Sequence, residues 1–311
     1  MGLVLIAAGV GLLLLPGLCR SLGRRLDPRQ WTLMCAGAMA AGWAVAEVGL
    51  VLFAAPTALR TLGVPGLASV CERMLGGVVP GGPVAGWLAL VLAATLAVRA
   101  GLGIIEGRRV RSVAYVEPFL GEHRRLGEHE VVVLPTQEMV AFSVVGRPSQ
   151  VVLSEGLQAV LTEEQMAAVI MHEAAHIEHG HQRYLVLAAA VRSAFTPLPM
   201  VTASVRTLQT ALERWADEEA SRSPGVRSAL REALVRLTVS TVGVDLAAFS
   251  AAETIAERLE ALDSAPRRPG LGLLGLLYSP GVALGAASVA GLAVWAGELR
   301  MVIAMAGSCP L

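Results

Sequence analysis

The chain has 311 residues, and its 25 basic side chains, all arginine, balance 25 acidic ones, so the formal charge at neutral pH is zero. With 54% hydrophobic residues, 4% aromatics and a mean hydropathy of +0.61, it is too apolar and too poor in charge for an ordinary soluble domain and reads as a membrane protein. The absence of any long like-charge block argues against a nucleic-acid partner. The four scattered cysteines (Cys19, Cys35, Cys71, Cys309) have no Cys-x-x-Cys spacing, which excludes a thiolate metal site and an evident disulfide framework.

A bilayer core takes roughly 20 apolar residues in a helix, and the segments 3–19, 33–55, 84–105 and 281–303 meet or approach that length. The first lacks a basic stretch ahead of it and is followed by Arg20, Arg24 and Arg25, so it is expected to be a retained span and not a signal peptide. The loop 20–32 carries four arginines and the segment after span three carries Arg108, Arg109 and Arg111, whereas the longer loop 56–83 has only Arg60 and Arg73. Arginine-rich flanks stay in the cytoplasm, which predicts a multi-pass cell-membrane protein with both termini outside.

Residues 106–268 hold 21 of the 25 acidic and 17 of the 25 basic side chains, as a folded, water-facing domain does. The expected organisation is a three-span anchor over 1–105, an α+β domain over 106–268 on the cytoplasmic side, and a fourth span with a short tail over 269–311. Within the domain, apolar runs predict short strands near 131–134, 140–145 and 150–153, and a helix starting at Ser154. A further apolar run, 185–203, is interrupted by Arg192, Pro197 and Pro199 and is expected as an interfacial or buried helix-turn segment.

Four of the six histidines fall in the ten residues His172–His181. Thr162-Glu-Glu-Gln165 is a capping box that starts a helix, and Gly180 offers a stop, so His172, Glu173 and His176 lie within one helix of four to five turns. Histidines four apart share a face and can hold one Zn²⁺, and a Glu beside the first can act as base on a water. The chemistry implied is peptide hydrolysis, with Glu173 moving the proton. Chance occurrence of a five-residue motif is the competing account. A catalytic zinc takes a third protein ligand, and Glu213, four before Asp217 on the next polar helix, is the natural one. Asp217 could accept a hydrogen bond from a zinc-bound imidazole, or simply belong to a solvated acidic helix end with Glu218 and Glu219. His179 and His181, at the helix C-terminus, are expected to be solvated, the alternative being a transition-state donor or an auxiliary metal ligand. The segment 252–264, with Ile255, Leu259 and Leu262 on one face, is expected to be a packing helix.

His-Glu-Ala-Ala-His followed by the Glu-x-x-Ala-Asp segment resembles the gluzincin-type membrane metalloproteases that include the HtpX heat-shock protease and the CAAX prenyl protease. Three spans, a protease domain and a fourth span also resemble the BlaR/MecR antibiotic-sensing transducers. The resemblance covers roughly residues 130–262. It implies a zincin-like fold, one Zn²⁺ per chain held by His172, His176 and Glu213, and Glu173 as the general base. It also implies an edge strand that binds extended substrate at Ala141 and Phe142, although Val140 stands where those families have Asn. An ordinary core hairpin accounts for the same strand. The leading expectation is an integral-membrane zinc endopeptidase whose partners are a bilayer and a protein or peptide substrate. The alternative is a signal-transducing protease with a sensor or repressor partner, cutting a cytoplasmic repressor or itself.

Overall fold

The computed structural model describes residues 1–75, 81–114, 122–126, 129–146, 148–196, 198–223, 225–241 and 246–264. They are mostly helical, with one small sheet, and form two compact units. The described part of the first unit is Met1–Leu13 with Gly37–Ala93, and that of the second is Leu14–Ala36 with 94–264.

The first unit is built from parts of three apolar helices, α1 (Gly2–Leu18), α3 (Pro28–Thr61) and α5 (Gly82–Ala114), with the short α4 (Pro65–Met74), whereas the one-turn α2 (Arg20–Gly23) belongs to the second. Glycine decides how closely α1 and α3 approach. A Cβ on Gly9 would stand 2.5 Å from the Ala46 nitrogen, and one on Gly42 would stand 2.8 Å from the Gly9 oxygen. Backbone therefore meets backbone, a packing that small residues permit between helices in lipid. On α5 the side chains of Val84, Leu88, Val91, Val98 and Leu102 are each more than half exposed. Among the described residues, two helices, Pro28–Thr61 and Gly82–Arg109, are long and apolar enough to cross a bilayer, while Gly2–Leu18 is apolar but shorter. The fourth expected span, 281–303, lies outside the described residues.

The second unit contains a four-stranded sheet of order β1-β2-β4-β3, formed by β1 (Glu122–Leu126), β2 (His129–Leu134), β3 (Ala141–Val144) and β4 (Gln150–Ser154). β2 and β4 are parallel neighbours at the centre, and β1 and β3 flank them antiparallel. Their valine runs suit strands covered on both faces. Val131, Val151 and Leu153 pack with Leu157, Val169 and Ile170, while Val132, Val152 and Leu134 form a separate cluster with Phe142 packed against it. The expected strands are present, and β1, whose sequence EHRRL is polar, is an addition. β3 is left as an edge, in register with β4 so that Ala141 faces Leu153 and Phe142 faces Val152.

Ser154 ends β4 and begins α6 (Glu155–Val160): its hydroxyl accepts from the Leu157 amide at 3.1 Å and from the Val140 amide at 3.0 Å. α7 (Glu163–Glu178) starts on the predicted capping box, with Thr162 and Gln165 bonded reciprocally at 3.3 and 3.2 Å. Such a cap is worth about 1 kcal/mol. The apolar run 185–203 is a helix-turn-helix, dividing between α8 (Gln182–Phe195) and α9 (Pro199–Ala220). The helices α10 (Val226–Thr241) and α11 (Leu246–Asp263) pack with α7 and α9 to complete the unit.

Candidate metal centre

α7 and α9 lie side by side and bring His172 and His176 against Glu213 and Asp217. The Nε2 atoms of His172 and His176 are 3.2 Å apart, and they stand 3.4 and 3.6 Å from the two carboxylate oxygens of Glu213. All three donors thus converge within 4.8 Å. Ligands held at 2.0–2.1 Å on a tetrahedral ion are separated by about 3.4 Å, so this donor set has the size that Zn²⁺ needs. Deprotonated at Nε2, the two imidazoles and the carboxylate would turn three lone pairs to one point for a cation to share; without metal, a proton on His172 takes that place beside Glu213.

The residues behind the donors fix their orientation. His172 Nδ1 is 2.9 Å from Asp217 Oδ1, and Arg258 of α11 grips the same carboxylate with two bonds of 2.8 and 2.7 Å. Arg258 also reaches Glu213 at 3.0 Å. Burial pulls the His172 imidazole down, but the Asp217 and Glu213 carboxylates outweigh it and raise it to about 10. Burial and the neighbouring His172 lower His176 to about 4, even though the Glu213 charge opposes them. Burial would raise Glu213 and Asp217, yet the Arg258 guanidinium holds both below the usual carboxylate range. Burial raises the carboxyl of Glu173, while His172 and a hydrogen bond from the Ser143 hydroxyl partly offset it.

Glu173 opens into a cavity of about 1160 Å³ that His172, His176, Glu213 and Arg258 also line. One wall is the edge strand, with Ala141, Phe142 and Ser143; another is formed by Leu185 and Ala189 of α8. α5 backs α8 closely, since a Cβ on Gly103 would lie 2.6 Å from the Ala189 oxygen. The structure therefore brings together every residue that the sequence singled out: His172, Glu173, His176, Glu213, Asp217, Ala141 and Phe142.

Two residues depart from expectation. His181, expected in solvent, is wholly buried, and His179 stacks on Trp215 with a ring separation of 5.0 Å and approaches Glu219 at 3.2 Å. A glycine reversal turns the chain back onto α7, which is why the last histidines face inward. Arg258 was missed, though the sequence carried a signal for it. It lies on the same stripe as Ile255, Leu259 and Leu262, where an arginine is out of place unless a buried anion awaits it.

Residues 114–214 match the model of Peptidase family M48. The matched stretch is about a third of the chain and contains His172, Glu173, His176 and Glu213; members of that family are zinc metalloproteases. Among solved structures, the chain is similar to the crystal structure of S. mikatae Ste24p at 17% identity and a TM-score of 0.32, covering 67% of this chain and 64% of that one. It thus spans less than two thirds of the length of that structure. No curated protein matches it.

Proposed function

We propose that the protein is an integral-membrane zinc endopeptidase that hydrolyses peptide bonds in membrane or membrane-proximal proteins. Its catalytic domain, 106–268, is held at the cytoplasmic face between spans three and four. The observation that carries this reading is the set of three donors at tetrahedral spacing beside Glu173, in a cavity walled by an open strand edge. His172, His176 and Glu213 would hold one Zn²⁺, which when bound supplies a Lewis acid that polarises the scissile carbonyl and acidifies water.

The remaining work falls to side chains. Glu173 takes the proton from the attacking water on its carboxylate and delivers it to the leaving amine nitrogen. Burial favours that role, because a raised carboxyl holds a proton closer to neutral pH. Ser143 donates to Glu173 and fixes its direction. Asp217 keeps the His172 proton on Nδ1 and so leaves Nε2 free to bind metal. β3 offers its unpaired edge to an extended substrate around Ala141 and Phe142. The test is Glu173→Gln in the full chain: metal analysis should still find about one Zn²⁺ per protein, while fragments of membrane proteins seen in wild-type cells disappear. Loss of the metal together with cleavage would remove Glu173 from its assigned role.

A second reading, a transducer that cuts a cytoplasmic repressor or itself after an external stimulus, is favoured by one contact. In the loop between α1 and α3, Arg20 of the short α2 and Arg24 just after it both bind the buried Glu257, Arg24 at 2.9 Å. Glu257 adjoins Arg258, so movement of that loop would reach Glu213 through α11. If Glu257→Gln leaves cleavage dependent on the same stimulus as in the wild type, this route is not used.

A further inference from the structure

His176 presents Nε2 to the donor cluster, so its other nitrogen faces away from it, towards a second imidazole. His176 Nδ1 and His181 Nδ1 are 2.9 Å apart, with the rings edge-on at 86°. The local fold makes this contact. Gly180 has φ +58, its amide bonds to the Ile177 carbonyl, and the His181 amide bonds to the His176 carbonyl at 3.1 Å. These paired bonds are a Schellman ending, a motif that sets the side chain two residues past the cap against the one three residues before it. Here those two side chains are His181 and His176. Trp215, two residues after Glu213 on α9, covers the His181 ring at 4.5 Å.

A neutral imidazole that offers its Nε2 lone pair carries its hydrogen on Nδ1. His176 must therefore donate from Nδ1, and His181 must accept at its own Nδ1 and carry its hydrogen on Nε2. That Nε2 is buried and has no hydrogen-bond partner among the described residues. An unpartnered buried N–H is unfavourable, and an apolar ring would fill the niche beside Trp215 without that cost. The start of α8, immediately after His181, also disfavours a positive charge there. A buried imidazole with one nitrogen unpartnered among the described residues and the other on a metal-ligand histidine is placed for that one bond.

We propose that His181 is a positioning residue for the metal centre: it fixes the tautomer and plane of His176, as Asp217 does for His172. The inference rests on the zinc reading of the site. It makes the two histidine ligands unequal, one backed by a carboxylate that pushes electron density into the ring and the other by a neutral acceptor that only orients it.

The experiment compares zinc affinity, by competition with a chromophoric chelator, and metal-free melting for the full chain in detergent as wild type, His181→Phe and His181→Asn. Partners that orient metal ligands typically contribute 10–100-fold in affinity, so His181→Phe should bind zinc about 10–100-fold more weakly while melting, metal-free, no lower than wild type. His181→Asn, whose side-chain oxygen can accept where Nδ1 does, should recover most of the affinity. If His181→Phe binds zinc as tightly as wild type, the proposal is overturned. It is also overturned if His181→Asn is no better than His181→Phe, or if zinc loss merely follows a fall in metal-free melting. A wild-type protein that binds no zinc would instead refute the zinc reading itself.

Discussion

Replacing Arg258 by Met removes a guanidinium that contacts both acidic residues of the centre. Arg258 is 11% exposed and Asp217 3%, and the two share a two-pronged pair at 2.7 and 2.8 Å. Removing one partner of a buried pair costs about 3–5 kcal/mol, because the other charge is left without compensation. Glu213 adds less, since a third of its side chain is exposed and faces the cavity. At roughly 2–4 °C per kcal/mol for a domain of this size, metal-free Arg258→Met should melt about 6–20 °C below wild type, read by tryptophan fluorescence in detergent. Zinc at Glu213 would offset part of the lost charge, so the shift should be smaller in the zinc-loaded protein. The pH dependence has a definite sign. Arg258 holds the Glu213 and Asp217 carboxyls below their unfolded values, so their stabilisation is present above the unfolded pKa and is lost as the pH falls through the folded one. Without Arg258 both carboxyls rise, and acid unfolding should begin at higher pH. A metal-free stability loss below about 1 kcal/mol would refute the reasoning, because it would put this pair in the range of surface contacts.

Glu213→Ala should abolish tight zinc binding, whereas Glu218→Ala should leave it intact, because Glu218 is paired with Arg227 at 2.8 Å and is not among the converging donors; equal loss in both would place the metal elsewhere. Asp217→Asn should lower zinc affinity by about 10–100-fold with the fold retained, since it weakens the His172 contact while keeping the shape of the side chain. Sidedness is tested in intact cells with an impermeant thiol reagent. Cys71 is buried and a poor reporter, so in a cysteine-free background Leu62→Cys, at an exposed site after α3, should label, whereas Glu164→Cys in the peptidase domain should label only after lysis. Labelling of position 164 in unbroken cells would turn the domain outward and end the cytoplasmic reading.

What was legible in the sequence is what short-range geometry sets. Thr162 and Gln165 start α7 through bonds three residues apart, and His172 and His176 share a face because they are one turn apart. Glu213 and Asp217 could be nominated for the same reason, since their spacing fixes their common face before any neighbour is known. The central strands were legible from their valine runs, but β1 was not, because EHRRL carries no apolar alternation and forms by pairing with β2. Strand order was decided only in three dimensions: the parallel pairing of β2 with β4 is what leaves β3 as an edge beside Glu173. Arg258 joins Asp217 across 41 residues of sequence, and no local rule reports a partner at that distance. His181 lies between the two cases. Its approach to His176 follows from a glycine in the left-handed region, a local device, but its burial needed Trp215 of α9 to close over the ring. Sequence determined which groups could serve the centre, because helical spacing is a property of the chain alone, and tertiary packing decided which of them are buried, paired and oriented, because those depend on what another element brings alongside.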